Sequence, residues 1–155
     1  MQEQEEWIND LDPLTCYIIV RRELNMSIGK ACAQVGHATQ LLTIKYFDLR
    51  KEARNLQKIL VQPHLATDEI RKNNEAISKK IVIMNDWMAS GYRKVVLGAD
   101  DKEFEKIKLE YKADMVLIVD AGLTELISGS ETVICLPPIL KSKCSNTLKR
   151  LQVLK

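Results

Sequence analysis

Thr15-Cys16-Tyr17-Ile18-Ile19-Val20-Arg21, followed shortly by Asn25-Met26-Ser27-Ile28-Gly29-Lys30-Ala31-Cys32-Ala33-Gln34-Val35-Gly36-His37-Ala38, is a strand running into a helix. The first segment is short, β-branched and aromatic, the pattern of a strand covered on both faces. The second opens on Ser27, a good helix cap, and predicts a helix from about Ile28 to Tyr46. Lys30, Gln34 and His37 stand at i, i+4 and i+7 and so share one helical face, while Ala31, Ala33, Gly36 and Ala38 let the backbone approach its neighbours closely. A helix that only covered a core would carry Leu or Ile in that stripe. The stripe is therefore a candidate floor for a site.

Working outward, the chain turns charged and helical between Phe47 and Ser90, broken at Gln62-Pro63-His64, with Thr67 capping a second segment that ends before Gly91. This predicts a helical hairpin or lid. Lys94-Val95-Val96-Leu97 is the next strand, and Asp100 with Glu103 forms a capping box that opens a helix to about Lys112. Met115 to Val119 is a third strand and Asp120-Ala121-Gly122-Leu123-Thr124 a turn; Thr132 to Leu136 is a fourth strand, ended by Pro137-Pro138. Strands alternating with helices predict an α/β chain: a single-domain α/β/α sandwich with a mixed four-stranded sheet, its last two strands antiparallel, and a helical insertion between strands 1 and 2.

The 155 residues, 46% hydrophobic and 28% charged, suffice for one core and not for two. A net charge of +2 hides an asymmetry: Glu3, Glu5, Glu6, Asp10 and Asp12 meet no Lys or Arg in the first 12 residues, which leaves 23 basic against 16 acidic residues, or +7, in the remainder. From Ile139 onward Lys141, Lys143, Lys149, Arg150 and Lys155 meet no acid, a distribution suited to a polyanionic partner. No apolar run nears the roughly 18 residues that span a bilayer, and no signal peptide is visible, so a cytoplasmic protein without a membrane partner is expected. Cys16, Cys32, Cys135 and Cys144 form no C-x-x-C pair, and with only His37 and His64 to join them they predict free, largely buried thiols and no metal site.

Gly29-Lys30 is not a phosphate loop, because Leu24 stands where the earlier glycine belongs and Ala31 where a Ser or Thr belongs. There is no G-x-S-x-G elbow and no G-x-G-x-x-G fingerprint. Two polar groups remain: Lys30, Gln34 and His37 after the first strand, and Asp120, Thr124, Ser130 and Thr132 after the third. Both lie at carboxyl ends of strands, where open α/β sheets bind ligands, so they are expected to share a crevice.

At these residues the chain resembles the type II peptidyl-tRNA hydrolase family. Val20-Arg21-Arg22-Glu23-Leu24-Asn25-Met26 through Gly29-Lys30, Ala33-Gln34 and His37-Ala38 is similar to its R-x-D-L-x-M-x-x-G-K-x-x-A-Q-x-x-H-A signature. Lys94 to Leu97, Asp120 to Thr124 and Gly129 to Val133 resemble the later blocks in the right order. The resemblance implies hydrolysis of the ester joining a peptide to the 3′ ribose of tRNA, with no metal or organic cofactor. It also implies catalytic roles for Lys30, Asp120 and Thr124 and substrate contacts for Gln34, His37, Ser130 and Thr132. Lys141, Lys143, Lys149 and Arg150 would hold RNA, and a homodimer is left open. The implied organisation is an acidic leader over residues 1–12 and a hydrolase-like domain over 13–155, with an insertion at about 43–80 longer than the family's usual connection. Leu123, Glu125, Ser128 and Pro137 stand where the family usually has Arg or Lys, Gln, Pro and Gly. The first two make the turn less favourable to RNA by two charges, and they are the features that favour an alternative, a noncatalytic RNA- or protein-binding module on the same fold.

Overall fold

The computed structural model describes residues 11–155, so residues 1–10 of the acidic leader lie outside the described residues. Strand β1 (Leu14–Arg21) is the axis of the fold, and its Cys16, Ile18 and Ile19 have no solvent exposure. It pairs in parallel with β2 (Lys94–Ala99), from Cys16 opposite Lys94 to Arg21 opposite Ala99. On its other side it pairs antiparallel with β4 (Glu131–Cys135), which pairs antiparallel with β3 (Val116–Val119). The sheet order is β3-β4-β1-β2-β6, where β6 (Gln152–Val153) is antiparallel to β2. Parallel and antiparallel pairs are therefore mixed, with the last main pair antiparallel as the sequence indicates.

The strand count differs from the expected four. Pro137-Pro138 interrupts the last main strand without ending its pairing: β5 (Ile139–Leu140) resumes alongside the start of β1, Leu14 opposite Leu140, with the register longer by one residue. Proline lacks the donor a ladder needs, so the chain bulges there and then returns. Two-residue strands such as β5 and β6 carry no alternation to read.

Helices cover both faces. Helix α1 (Ile28–Leu60) and helix α2 (Asp68–Ala89) bury Ala38, Leu42, Tyr46, Met84 and Trp87 against Cys16, Ile18 and Val20. Helix α3 (Asp101–Glu110) and the short α4 (Asn146–Arg150) bury Phe104, Ile107 and Leu148 against Ile19 and Leu97. Opposite faces of β1 thus feed two cores, as its unbroken apolar run requires. The capping box at Asp100 and Glu103 is formed in both directions, at 2.8 and 2.9 Å, and Thr67 caps α2. Cys16, Cys135 and Cys144 are free and buried, whereas Cys32 is exposed on α1.

Helix α1 overruns its expected end at Tyr46 by four turns, because nothing between Gly36 and Pro63 interrupts it. The change in composition at Phe47 alters the surface and leaves the backbone helical. At 1.5 Å per residue its 33 residues span roughly 50 Å, about twice the length of β1. It starts at the carboxyl end of β1 and runs back along the sheet, where Lys45 donates to the carbonyl of Asp114 just before β3. The hairpin of α1 and α2 therefore projects past the end of the sheet opposite Lys30, and the segment 43–80 does not border that residue. Within it Leu49, Leu56 and Ile59 are half-buried, while Ile44 and Phe47 are exposed.

Candidate active site

Ser27 terminates the turn after β1 and accepts the backbone N–H of Lys30 at 3.2 Å, which fixes the first turn of α1. From that turn Lys30, Gln34 and His37 project along one face toward the loop that follows β3. The loop from Asp120 to Ser130 is closed on itself: Asp120 N–H donates to the Ser130 carbonyl and Gly129 N–H to the Asp120 carbonyl, both at 2.8 Å. Gly122 makes the closure feasible. Its φ is +76°, and a Cβ there would lie 2.5 Å from the Ser128 backbone nitrogen.

These two elements bring together residues 86 to 98 apart in sequence. Lys30 Nζ is ion-paired with Asp120 Oδ1 and donates to Thr124 Oγ1 at 3.0 Å. Gln34 Nε2 donates to the same Oδ1 at 2.9 Å, and Gly122 N–H donates to Oδ2 at 3.0 Å. Thr132 Oγ1 lies 2.9 Å from Gln34 Oε1 and 3.2 Å from the Ile118 carbonyl; its single proton serves one acceptor at a time. Thr132, Gln34, Asp120, Lys30 and Thr124 therefore form one continuous chain of hydrogen bonds. Asp120, Gln34 and Thr132 are buried, and the side chain of Lys30 is half-buried at 12% exposure.

The Lys30 ammonium, followed by the Gly122 N–H and Gln34, holds the Asp120 carboxyl below the ordinary 3.8, despite the opposing effect of burial. Asp120 is thus fully ionised near neutrality. Lys30 carries three N–H donors and two are engaged, so one remains to meet a ligand. Asp120 Oδ2 accepts one bond within the protein and retains capacity for another.

Lys30, Gln34, His37, Asp120 and Thr124 line one cavity of about 660 Å³, with Leu41, Leu117, Val119 and Leu123 as its apolar walls. His37 is exposed at its rim. Ser130 is not brought to the cluster: its hydroxyl turns back to the Ile127 carbonyl at 2.6 Å and serves the loop. A second cavity of about 370 Å³ lies under the hairpin at the far end of the sheet, but its lysines, Lys45 and Lys80, are both committed to Asp114. The Lys30–Asp120 cavity is therefore the candidate site.

Sequence reasoning treated Glu125 only as a departure. In the structure its carboxylate accepts the backbone N–H of Ser27 at 2.9 Å and the Ser27 hydroxyl, which lowers its pKa below the ordinary 4.5. An anion there meets the positive end of α1, whose first turn holds no acid of its own. Glu125 thereby clasps the Asp120 loop to the start of the helix. The missing acid in that turn was the one signal available, and it named no partner.

The basic tail starts far from this cluster. Lys141 and Lys143 follow β5 beside the start of β1, where Ser142 N–H donates to Asp12, on the order of 25 Å along the strand from the end that carries Lys30. Lys149 donates to the Ser142 carbonyl, and Arg150 closes α4.

The family model described as peptidyl-tRNA hydrolase PTH2 matches residues 14–154, and the chain belongs to that family. The peptidyl-tRNA hydrolase of Pyrobaculum aerophilum is 29% identical over 140 residues, covering 85% of this chain and 92% of its own. That of Methanococcus vannielii is 29% identical over 141 residues, covering 88% and 96%, and that of Thermoplasma acidophilum 26% over 126 residues, covering 78% and 81%.

Proposed function

We infer that this chain hydrolyses the ester between a peptide and the 3′ oxygen of tRNA, releasing free peptide and free tRNA. Family membership supplies the reaction class. The observation that carries the assignment to this cavity is the Lys30–Asp120 pair, assembled from two strand ends and held from three sides. An ester needs a positioned water and a donor for the oxyanion that develops. Asp120 Oδ2 holds the water, which adds to the carbonyl carbon. The free N–H of Lys30 stabilises the tetrahedral oxyanion, which collapses with cleavage of the bond to the ribose oxygen. The proton that the water gives up on adding passes to that oxygen, which leaves as the ribose hydroxyl. Because Lys30 keeps Asp120 ionised and weakly basic, the carboxylate acts chiefly by orienting water and by its charge. Thr124 fixes the Lys30 ammonium; Gln34 and Thr132 fix the carboxylate.

In the same reading tRNA is the partner, His37 at the rim contacts substrate, and Lys141, Lys143, Lys149 and Arg150 bind its backbone at a distance from the ester. A molecule the length of tRNA bridges such a separation. The segment 43–80 is an elaboration beyond the catalytic unit, and its exposed Ile44 and Phe47 leave a homodimer open. A cytoplasmic location follows from the substrate. Glu125, one of the two features that favoured the noncatalytic alternative, clasps Ser27 while keeping its negative charge at the cavity wall.

Purified protein is assayed on N-acetylaminoacyl-tRNA, with free aminoacyl-tRNA as comparison. Release of tRNA that requires both Lys30 and Asp120 is the expected result. Turnover retained by Lys30→Ala and by Asp120→Asn would remove the cluster from the chemistry.

A further inference from the structure

The reaction described above places the ester at Lys30 and Asp120 but leaves open where the peptide lies. Strand β3 is the outermost strand of the sheet on that side, and it runs directly into Asp120. The Ile118 carbonyl faces Thr132, and Asp120 N–H donates to Ser130, so both residues turn their main chain toward β4. Antiparallel strands alternate. The N–H and C=O groups of Leu117 and Val119 consequently face the other way, off the free edge of the sheet. Leu117 and Val119 line the same cavity as Lys30 and Asp120.

The composition of that cavity selects between the two arms of the substrate. Lys30 is the one Lys or Arg among the described residues lining it, against the anions Asp120 and Glu125. A polynucleotide brings a negative charge with each residue and finds no match there. A peptide brings a neutral backbone, alternating donors and acceptors, and side chains that suit Leu41, Val119 and Leu123, which are 43%, 55% and 87% exposed. An open strand edge is a template for such a chain.

We propose that the peptide arm of the substrate adds as an extra strand along the free edge of β3, pairing with Leu117 and Val119 while its esterified end lies at Asp120. This rests on the hydrolase reading. It gives the enzyme a sequence-independent hold on a peptidyl group through main-chain hydrogen bonds, with apolar side chains favoured. With its esterified end at Asp120 the peptide runs parallel to β3, so the residue two before the esterified one straddles the edge, donating to the Leu117 carbonyl and accepting from the Val119 N–H, while the residue between them turns its main chain away.

The test is a series of N-acetylated peptidyl-tRNAs with one to five residues, each also made with N-methyl groups on the amides nearest the ester. The expected result is a KM that falls about two- to tenfold between one residue and three and then levels off, at constant kcat, with the gain cut by N-methylation of the third residue from the ester and not of the second. Val119→Pro, which deletes an outward donor and no ladder bond to β4, should erase the same gain, while Val119→Ala retains it. Independently, a noncleavable analogue with the peptide amide-linked to 3′-amino-adenosine should slow hydrogen exchange at the Leu117 and Val119 amides. Equal KM at every length, a gain that survives N-methylation of the third residue, or unprotected amides would each overturn the proposal. Hydrolysis with no length dependence would do so while leaving the hydrolase reading intact. Failure to hydrolyse any ester would overturn that reading, and the exchange measurement would still decide whether the edge binds peptide.

Discussion

Replacing Thr132 by Val isolates one hydroxyl at nearly constant shape. Thr132 is fully buried, and Gln34, whose Oε1 accepts its hydroxyl at 2.9 Å, is 4% exposed. Without the hydroxyl that Oε1 becomes a buried acceptor with no partner, a loss of about 1–3 kcal/mol. Rotating the amide gives no escape, because it would point Oε1 at the Asp120 carboxylate in place of the Nε2 donor that sits there at 2.9 Å. For a domain of this size the loss lowers Tm by roughly 2–12 °C. Urea and thermal unfolding measure it, with Gln34→Leu and the double variant completing a cycle. The double variant removes both partners, so it should be more stable than the two single effects predict, by about 0.5–3 kcal/mol. A Thr132→Val protein within about 0.5 kcal/mol of the parent, or a cycle that closes additively, would show that the hydroxyl does not hold Gln34 and that the chain of hydrogen bonds stops short of β4.

Asp120→Asn keeps the outline of the side chain and removes its charge, and kcat should fall about 10²- to 10⁴-fold with circular dichroism unchanged; unaltered turnover would reduce Asp120 to a turn residue. Asp120 is held below 3.8 in the folded protein, so the stability it contributes is complete above that value and is lost as pH falls through the folded pKa. The acid limb of kcat/KM due to this group should accordingly lie below 3.8, and a limb well above that value would show that another group governs it. Neutralising Lys141, Lys143, Lys149 and Arg150 together should flatten the salt dependence of tRNA binding by roughly three units in a plot of log K against log salt, with kcat unchanged at saturation; an unchanged slope would move the RNA elsewhere.

What the sequence disclosed were features governed by neighbours a few residues away. Ser27 and Thr67 cap their helices, Asp100 and Glu103 box the start of α3, and β1 is buried on both faces because its composition permits nothing else. The continuation of α1 past Tyr46 was hidden by a change of surface charge that has no bearing on the backbone. Within the site, the shared face of Lys30 and Gln34 followed from helical spacing, whereas the direction of a hydroxyl did not: Ser130 and Thr132 are two residues apart, yet one serves Ile127 and the other Gln34. The clasp of Glu125 on Ser27 spans 98 residues, and no local rule selects that pairing.

The distance in sequence between the halves of the site has a consequence for the birth of the protein. Lys30 and Asp120 are 90 residues apart, and Gln34 and Thr132 are 98 apart. Every growing chain is itself an ester of tRNA, and so would be a substrate for its own product. At 5–20 residues per second, roughly 5–18 s of synthesis separate the two halves of the ion pair. During that interval the first half holds a lysine with no carboxylate to meet it, and β1 still lacks β4. Competence to cut the ester arises only once the chain through Thr132 has left the ribosome, so the nascent first half cannot release itself.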